Sequence, residues 1–247
     1  MYIFQILLRD VAKSAILRLG CKLILYISQI LLSYVAKFII LTLGWKLITK
    51  KQFMQYHKYK RSVIVFSHTT YADFYMFLLY FIAFPKEFEN VKVLVKPQPF
   101  EYAGFILRRF GCIPSSNFND RNSGSTERII KELNKHEQFI FLISPKGTIV
   151  KSEWRNGYYN IAVELKCHLL ATGLDYDKKK IIISESINYD ESKEDIELFL
   201  KEQLSKIVPL YPEDEIVEIR KHKSTSIISV SRLIFITMIV MLMILFY

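Results

Sequence analysis

The chain has 247 residues, enough for one α/β domain with a sizeable core plus appendages. Hydrophobic residues make up 51%, mean hydropathy is +0.18, and the formal charge is +10. No nucleic-acid-binding motif accompanies that charge, and much of it lies beside apolar segments, so a membrane surface fits it better than nucleic acid.

Residues 2–19 place Phe4, Leu7, Leu8, Val11, Ala15, Ile16 and Leu19 at helical spacing, with Arg9, Asp10, Lys13 and Arg18 interleaved. That pattern predicts a helix suited to a bilayer interface. Charges interrupt the apolar run and no small-residue cleavage site follows, which argues against a signal peptide. Leu23 to Trp45 has Lys37 as its only charge and is about as long, as a helix, as a bilayer core is thick. It reads as a membrane anchor, with Lys37 leaving open whether it crosses or inserts from one side. Six basic residues follow (Lys46, Lys50, Lys51, Lys58, Lys60 and Arg61), with no acid among them.

Ser62 opens the central domain. Val63, Ile64, Val65 and Phe66 form a continuous β-branched and aromatic run, the signature of a strand buried on both faces. The chain breaks at Ser67-His68-Thr69-Thr70, and a helical pattern resumes at Phe74, Phe77, Leu78 and Phe81, with Thr69 or Thr70 as its cap. Val91–Lys96 alternates as a strand, Tyr102–Phe110 is a short helix ended by Gly111, and Ser125–Lys135 is a helix capped by Thr126. Phe139–Ile143 is a third buried strand, Asn156–Leu165 a helix, and His168–Leu174 and Ile181–Ser184 two further strands. This alternation predicts an α/β fold with a mostly parallel central sheet flanked by helices.

Asp190–Val208 follows as an amphipathic helix stopped by Pro209. Arg220-Lys221-His222-Lys223 then precedes Ser226–Tyr247, whose last fifteen residues are uncharged and read as a C-terminal anchor. The domains expected are 1–48, membrane-associated helices; 49–223, the α/β domain; and 224–247, a hydrophobic anchor. Basic clusters flank both apolar ends on the domain's side, which places that domain in the cytoplasm. Cys21, Cys112 and Cys167 lack metal-ligand spacing and read as free thiols; no metal site is expected.

His68 falls in the loop at the carboxyl end of a buried strand, where open α/β sheets place reactive groups. Asp73, one turn into the next helix, can reach back and fix which ring nitrogen carries the proton, freeing the other to accept one from a substrate hydroxyl. Alone, His-x4-Asp is a common structural pair; its significance depends on three further stretches. These are Lys96 with Gly104 and Phe110-Gly111-Cys112-Ile113-Pro114; Pro145-Lys146-Gly147-Thr148; and Ala171-Thr172-Gly173-Leu174-Asp175-Tyr176.

In this order and spacing the set resembles the lysophospholipid acyltransferase family, of the 1-acyl-glycerol-3-phosphate acyltransferase type, over roughly residues 60–185. The resemblance implies transfer of a fatty acyl group from acyl-CoA or acyl-ACP, as co-substrate and without a cofactor, to the hydroxyl of a lysophospholipid. His68 would be the general base and Asp73 its orienting partner. Substrate contacts would fall on Lys96, Gly104, Gly147 and Thr148, with backbone N–H groups near Gly147 and Thr148 available to an oxyanion or phosphate.

Lys146 stands where the family has Glu, Ile149 where it has Arg, and the second block runs Pro114-Ser115-Ser116 where the family has an Arg. Lys146, Lys151, Arg155 and Arg121 are candidates to supply a phosphate-binding charge from shifted positions, the alternative being ordinary solvated surface charges. The partners implied are membrane lipids, a lysophospholipid acceptor and an acyl donor. The alternatives are a remodelling enzyme with another lysolipid acceptor, or a membrane-bound lipid-binding protein that has lost catalysis. Trp154, Tyr158 and Tyr159 fit a core face more readily than an acyl tunnel.

Overall fold

A computed structural model describes residues 23–24, 26–68, 70–116, 125–147 and 153–211. The amphipathic stretch 2–19, the Arg220–Lys223 cluster and the C-terminal anchor lie outside the described residues, as do Arg121, Thr148 and Lys151.

Six strands form one sheet: β1 (Arg61–Phe66), β2 (Val91–Val95), β3 (Cys112–Pro114), β4 (Phe139–Ile143), β5 (His168–Asp175) and β6 (Lys180–Ile187). Their spatial order is β3-β2-β4-β1-β5-β6, with β1 central. The first five run parallel; β6 pairs antiparallel with β5. No helix separates β5 from β6, so a tight hairpin returns the chain, and a hairpin can only pair strands antiparallel.

The unbroken apolar strands are explained by two helical layers. On one face Val63 and Val65 join Phe139, Phe141 and Ile143 beneath Ile129 and Leu133 of α5 (Ser125–Leu133). Tyr158 and Ile161 of α6 (Gly157–Glu164) and Ile196 and Leu200 of α7 (Lys193–Ser205) complete that layer. On the other face Ile64, Ile140, Leu142 and Leu170 pack with Tyr56 of α2 (Lys50–Tyr56) and with Phe81 of α3 (Tyr71–Ala83). Successive side chains on a strand point to opposite faces, so each residue of the run has its own layer to fill. Burying one such aliphatic side chain contributes about 1.5–3 kcal/mol, which makes this centre the most costly place to introduce a polar group.

The structure ends the helix expected over Leu23–Trp45 before the tryptophan. The helix over residues 26–42, α1, ends before Gly44, whose φ of +77° turns the chain back so that Trp45 is buried in the domain. Among the described residues no helix is long and apolar enough to cross a membrane. One face of α1 belongs to the protein: Ala36 and Ile40 pack against Tyr80 and Ala83 of α3, and Ser33 Oγ donates to the Ala83 carbonyl at 2.7 Å. The other face is bare, with Leu31 64%, Tyr34 66% and Phe38 67% exposed. Lys37 lies over the Phe84 ring at 4.9 Å.

After α1 the chain is fastened to the β5–β6 hairpin, where the Lys46 N–H donates to the Lys179 carbonyl at 2.8 Å. The chain leaving α7 returns to the same place: the Tyr176 N–H donates to the Val208 carbonyl at 2.9 Å, and Val208, Leu210 and Tyr211 are exposed. Both segments therefore meet the sheet at its carboxyl rim.

Candidate functional site

β1 delivers its last residue, Phe66, to the centre of that rim, beside Thr172 of β5 and one residue past the end of the β4 pairing at Val65–Ile143. Ser67 and His68 then leave the sheet and α3 begins. Thr70 is the N-cap: its hydroxyl accepts from the Ala72 N–H at 3.2 Å, and Asp73 at the third helical position closes a capping box by accepting from the Thr70 N–H at 3.0 Å. This arrangement satisfies donors that the first turn would otherwise leave unpaired, and it aims a carboxylate back along the chain.

His68 lies in that path. Asp73 Oδ2 is 3.2 Å from His68 Nδ1, and Asp73 is only 3% exposed, while the His68 side chain retains 24%. Asp73 Oδ1 accepts from the Tyr176 hydroxyl at 2.8 Å. Two N–H groups and one O–H thus converge on a single carboxylate, so Nδ1 is assigned as the protonated ring nitrogen and Nε2 carries the lone pair. Burial, with the Asp73 charge adding to it, pushes the Tyr176 phenol well above its ordinary value, so it remains a donor at neutral pH. The Phe66 ring sits 6.0 Å from the imidazole.

Ser67 is no part of a relay. A β-carbon on Gly173 would stand 3.3 Å from Ser67 Oγ and 3.0 Å from Ile207 Cδ1, so Ser67 packs toward β5, where only glycine leaves room. The fourth stretch is thereby structural at Gly173 and reaches the site through Tyr176. Sequence reasoning had given Tyr176 no role.

The third stretch lies one strand from His68. β4 ends at Ile143, opposite Val65, and Ser144–Gly147 form a turn on the same rim. Arg155 lies there too: its backbone N–H donates to the Pro145 carbonyl at 3.0 Å, and a β-carbon on Gly147 would be 4.0 Å from its Nη1. Lys146 is half-buried in the turn itself. The Gly147 N–H, expected to meet an oxyanion or phosphate, is instead bonded to the Ser144 carbonyl at 3.1 Å and closes the turn.

The second stretch is less well united with the site. Lys96 is exposed just past β2, two strands from β1, or about 10 Å at ~4.8 Å per strand. Gly104 is inside α4 (Phe100–Arg109), where a β-carbon would meet only Phe100 of the same helix, so nothing there calls for glycine. Gly111 is the glycine the backbone requires: φ is +73° and a β-carbon would lie 2.2 Å from the Val91 carbonyl.

Arg128 of α5 was also missed by sequence reasoning. Its guanidinium donates to the Pro114 carbonyl at the end of β3, the carboxyl rim of the second stretch, and Arg108 is near enough to oppose its charge.

A cavity of about 490 Å³ lies at the opposite, amino edge of the sheet, lined by Tyr59, Arg61, Glu137, Lys166 and His168 among others. Arg61 there donates to the His136 carbonyl at 3.1 Å just past α5, and His168 stacks on Tyr59 at 3.7 Å. Arg61 thus faces the carboxyl end of α5, which accounts for its placement without a ligand. Trp154 and Tyr158 meet edge to face at 5.5 Å within or against the main core, as helical spacing had indicated. Among the described residues no cluster of His, Cys, Asp or Glu could hold a metal ion.

The family described as Acyltransferase matches residues 48–174, from the residue before the α2 cap to the penultimate residue of β5, more than half of the chain. Comparison with curated proteins gives no match.

Proposed function

The chain belongs to the acyltransferase family, and from that premise we propose that it acylates a lysophospholipid at a membrane surface, with His68 as general base. The hydrogen bond from His68 Nδ1 to Asp73 carries this reading, because it leaves Nε2 unprotonated at the rim of the sheet. In the reaction, Nε2 removes the proton of the acceptor hydroxyl as its oxygen bonds to the thioester carbonyl carbon. The tetrahedral oxyanion then collapses, the carbon–sulfur bond breaks, and the thiolate leaves with the new ester formed. Because a thiolate is a good leaving group, the step needs a base far more than an acid. The imidazolium's proton passes to the thiolate or to water. Asp73 stabilises the imidazolium while it exists.

Acyl-CoA or acyl-ACP is the donor in this reading and 1-acyl-glycerol-3-phosphate the acceptor. Lys146 and Arg155 at the Pro145 turn supply positive charge one strand from His68, which suits a phosphate monoester. A second acceptor class, a remodelling substrate with another headgroup, is favoured by Lys146 itself, a point charge without the fork of arginine. Membrane contact is supported by the bare apolar face of α1. A screen of lysolipid acceptors with one labelled acyl donor, run on the purified full chain and on His68→Ala, tests the reading. Loss of roughly 10²–10⁴-fold in the variant is expected; an unchanged rate ends it.

A further inference from the structure

Asp73 must present one particular oxygen to His68, yet a carboxylate at the end of a single rotatable bond can turn. Oδ2 already serves two N–H donors, from Thr70 and His68, while Oδ1 has the Tyr176 hydroxyl at 2.8 Å. We propose that Tyr176 is a positioning residue for the reaction: its hydroxyl fixes the rotation of the Asp73 carboxylate and through it the tautomer of His68. This rests on the reading of His68 as the base.

The phenol is itself held from two sides. Its backbone N–H is tied to Val208, and Trp45 meets its ring edge-on at 5.1 Å and 88°. Trp45 directly follows the α1 turn, so the seating of α1 and the orientation of the carboxylate share one ring. The ionisable groups facing the phenol are Asp73 from α3 and Tyr211 from the segment after α7. Asp73 is the charge the phenol answers to.

Tyr176→Phe keeps the ring and its packing and removes only the hydroxyl. In the full chain, nitrogen NMR of labelled histidine reads the His68 tautomer directly. The wild type is expected to show Nδ1–H, and Tyr176→Phe a mixture of the two tautomers. In the acyl-transfer assay kcat is expected to fall about fivefold, the rate equivalent of one hydrogen bond, with KM for both substrates unchanged. A tautomer unchanged in Tyr176→Phe overturns the proposal, as does a raised KM with kcat intact, which would make Tyr176 a binding group. Full activity in His68→Ala would instead overturn the base assignment, and the NMR result would still decide what Tyr176 does to the ring.

Discussion

Asp73→Ala and His68→Ala should separate cleanly on stability, although both should abolish activity. Asp73 accepts from the Thr70 N–H, closing the α3 capping box, and from the Tyr176 hydroxyl, both in a site where the carboxylate is 3% exposed. Removing it costs about 1 kcal/mol for the cap and about 1–3 kcal/mol for a buried phenol left without an acceptor. The sum, about 2–4 kcal/mol, lowers Tm by roughly 5–15 °C for a chain of this length. His68→Ala leaves the carboxylate with both of those donors and removes a partly exposed ring, so its cost is about 0.5–1 kcal/mol, within the usual range for such positions. Thermal unfolding by circular dichroism, in the same detergent as the activity assay, measures both. Equal melting temperatures for the two variants would refute the account of Asp73 as a carboxylate shared between helix cap and imidazole.

Three other outcomes follow from the geometry. Gly111→Ala, with its β-carbon driven into the Val91 carbonyl at positive φ, should fail to express or lose more than about 3 kcal/mol in denaturant unfolding. Gly104→Ala, whose β-carbon would meet only Phe100 at ordinary contact distance, should be neutral or stabilising by up to about 1 kcal/mol with activity kept. Lys146→Ala and Arg155→Ala should each raise KM for a phosphorylated lysolipid by about tenfold, the worth of one charged hydrogen bond; equal losses on an unphosphorylated acceptor would remove the phosphate role.

Burial pushes the Cys167 thiol from 9.0 up to about 12, and the Tyr56 phenol from 10.0 up to about 12. As pH rises past 9 the unfolded chain sheds these protons first, so stability should fall between about pH 9 and 12 and be unaffected by these groups below it. Denaturant titrations across that range check the slope, and Cys167 should resist alkylation at pH 8 until the protein unfolds.

The strands of the sheet could be read because β1 and β4 are buried on both faces and leave unbroken apolar runs. Strand β3 is three residues long and too short for any periodicity, and β6 gave up its direction only once the hairpin from β5 was visible. α2 is a single helical stretch of seven residues rich in Lys and Gln, readable from its Thr49–Gln52 cap but not from any apolar face. The dyad was legible for a local reason: His68 and Asp73 are one helical turn apart across a cap. Tyr176 reaches Asp73 across 103 positions, and Arg128 reaches Pro114 from another helix, pairings that leave no mark on either local sequence. Gly147 shows the reverse error. Its type and position suited an anion site, but whether an N–H points outward depends on a turn bond to Ser144 that sequence does not display.

The entry and exit of the domain lie side by side. The chain arrives at Lys46 and departs through Val208, each bonded to opposite ends of the same hairpin. On the proposed membrane reading, a surface that receives the apolar residues 208–211 lies on the hairpin's side of the sheet, the same rim from which His68 leaves β1.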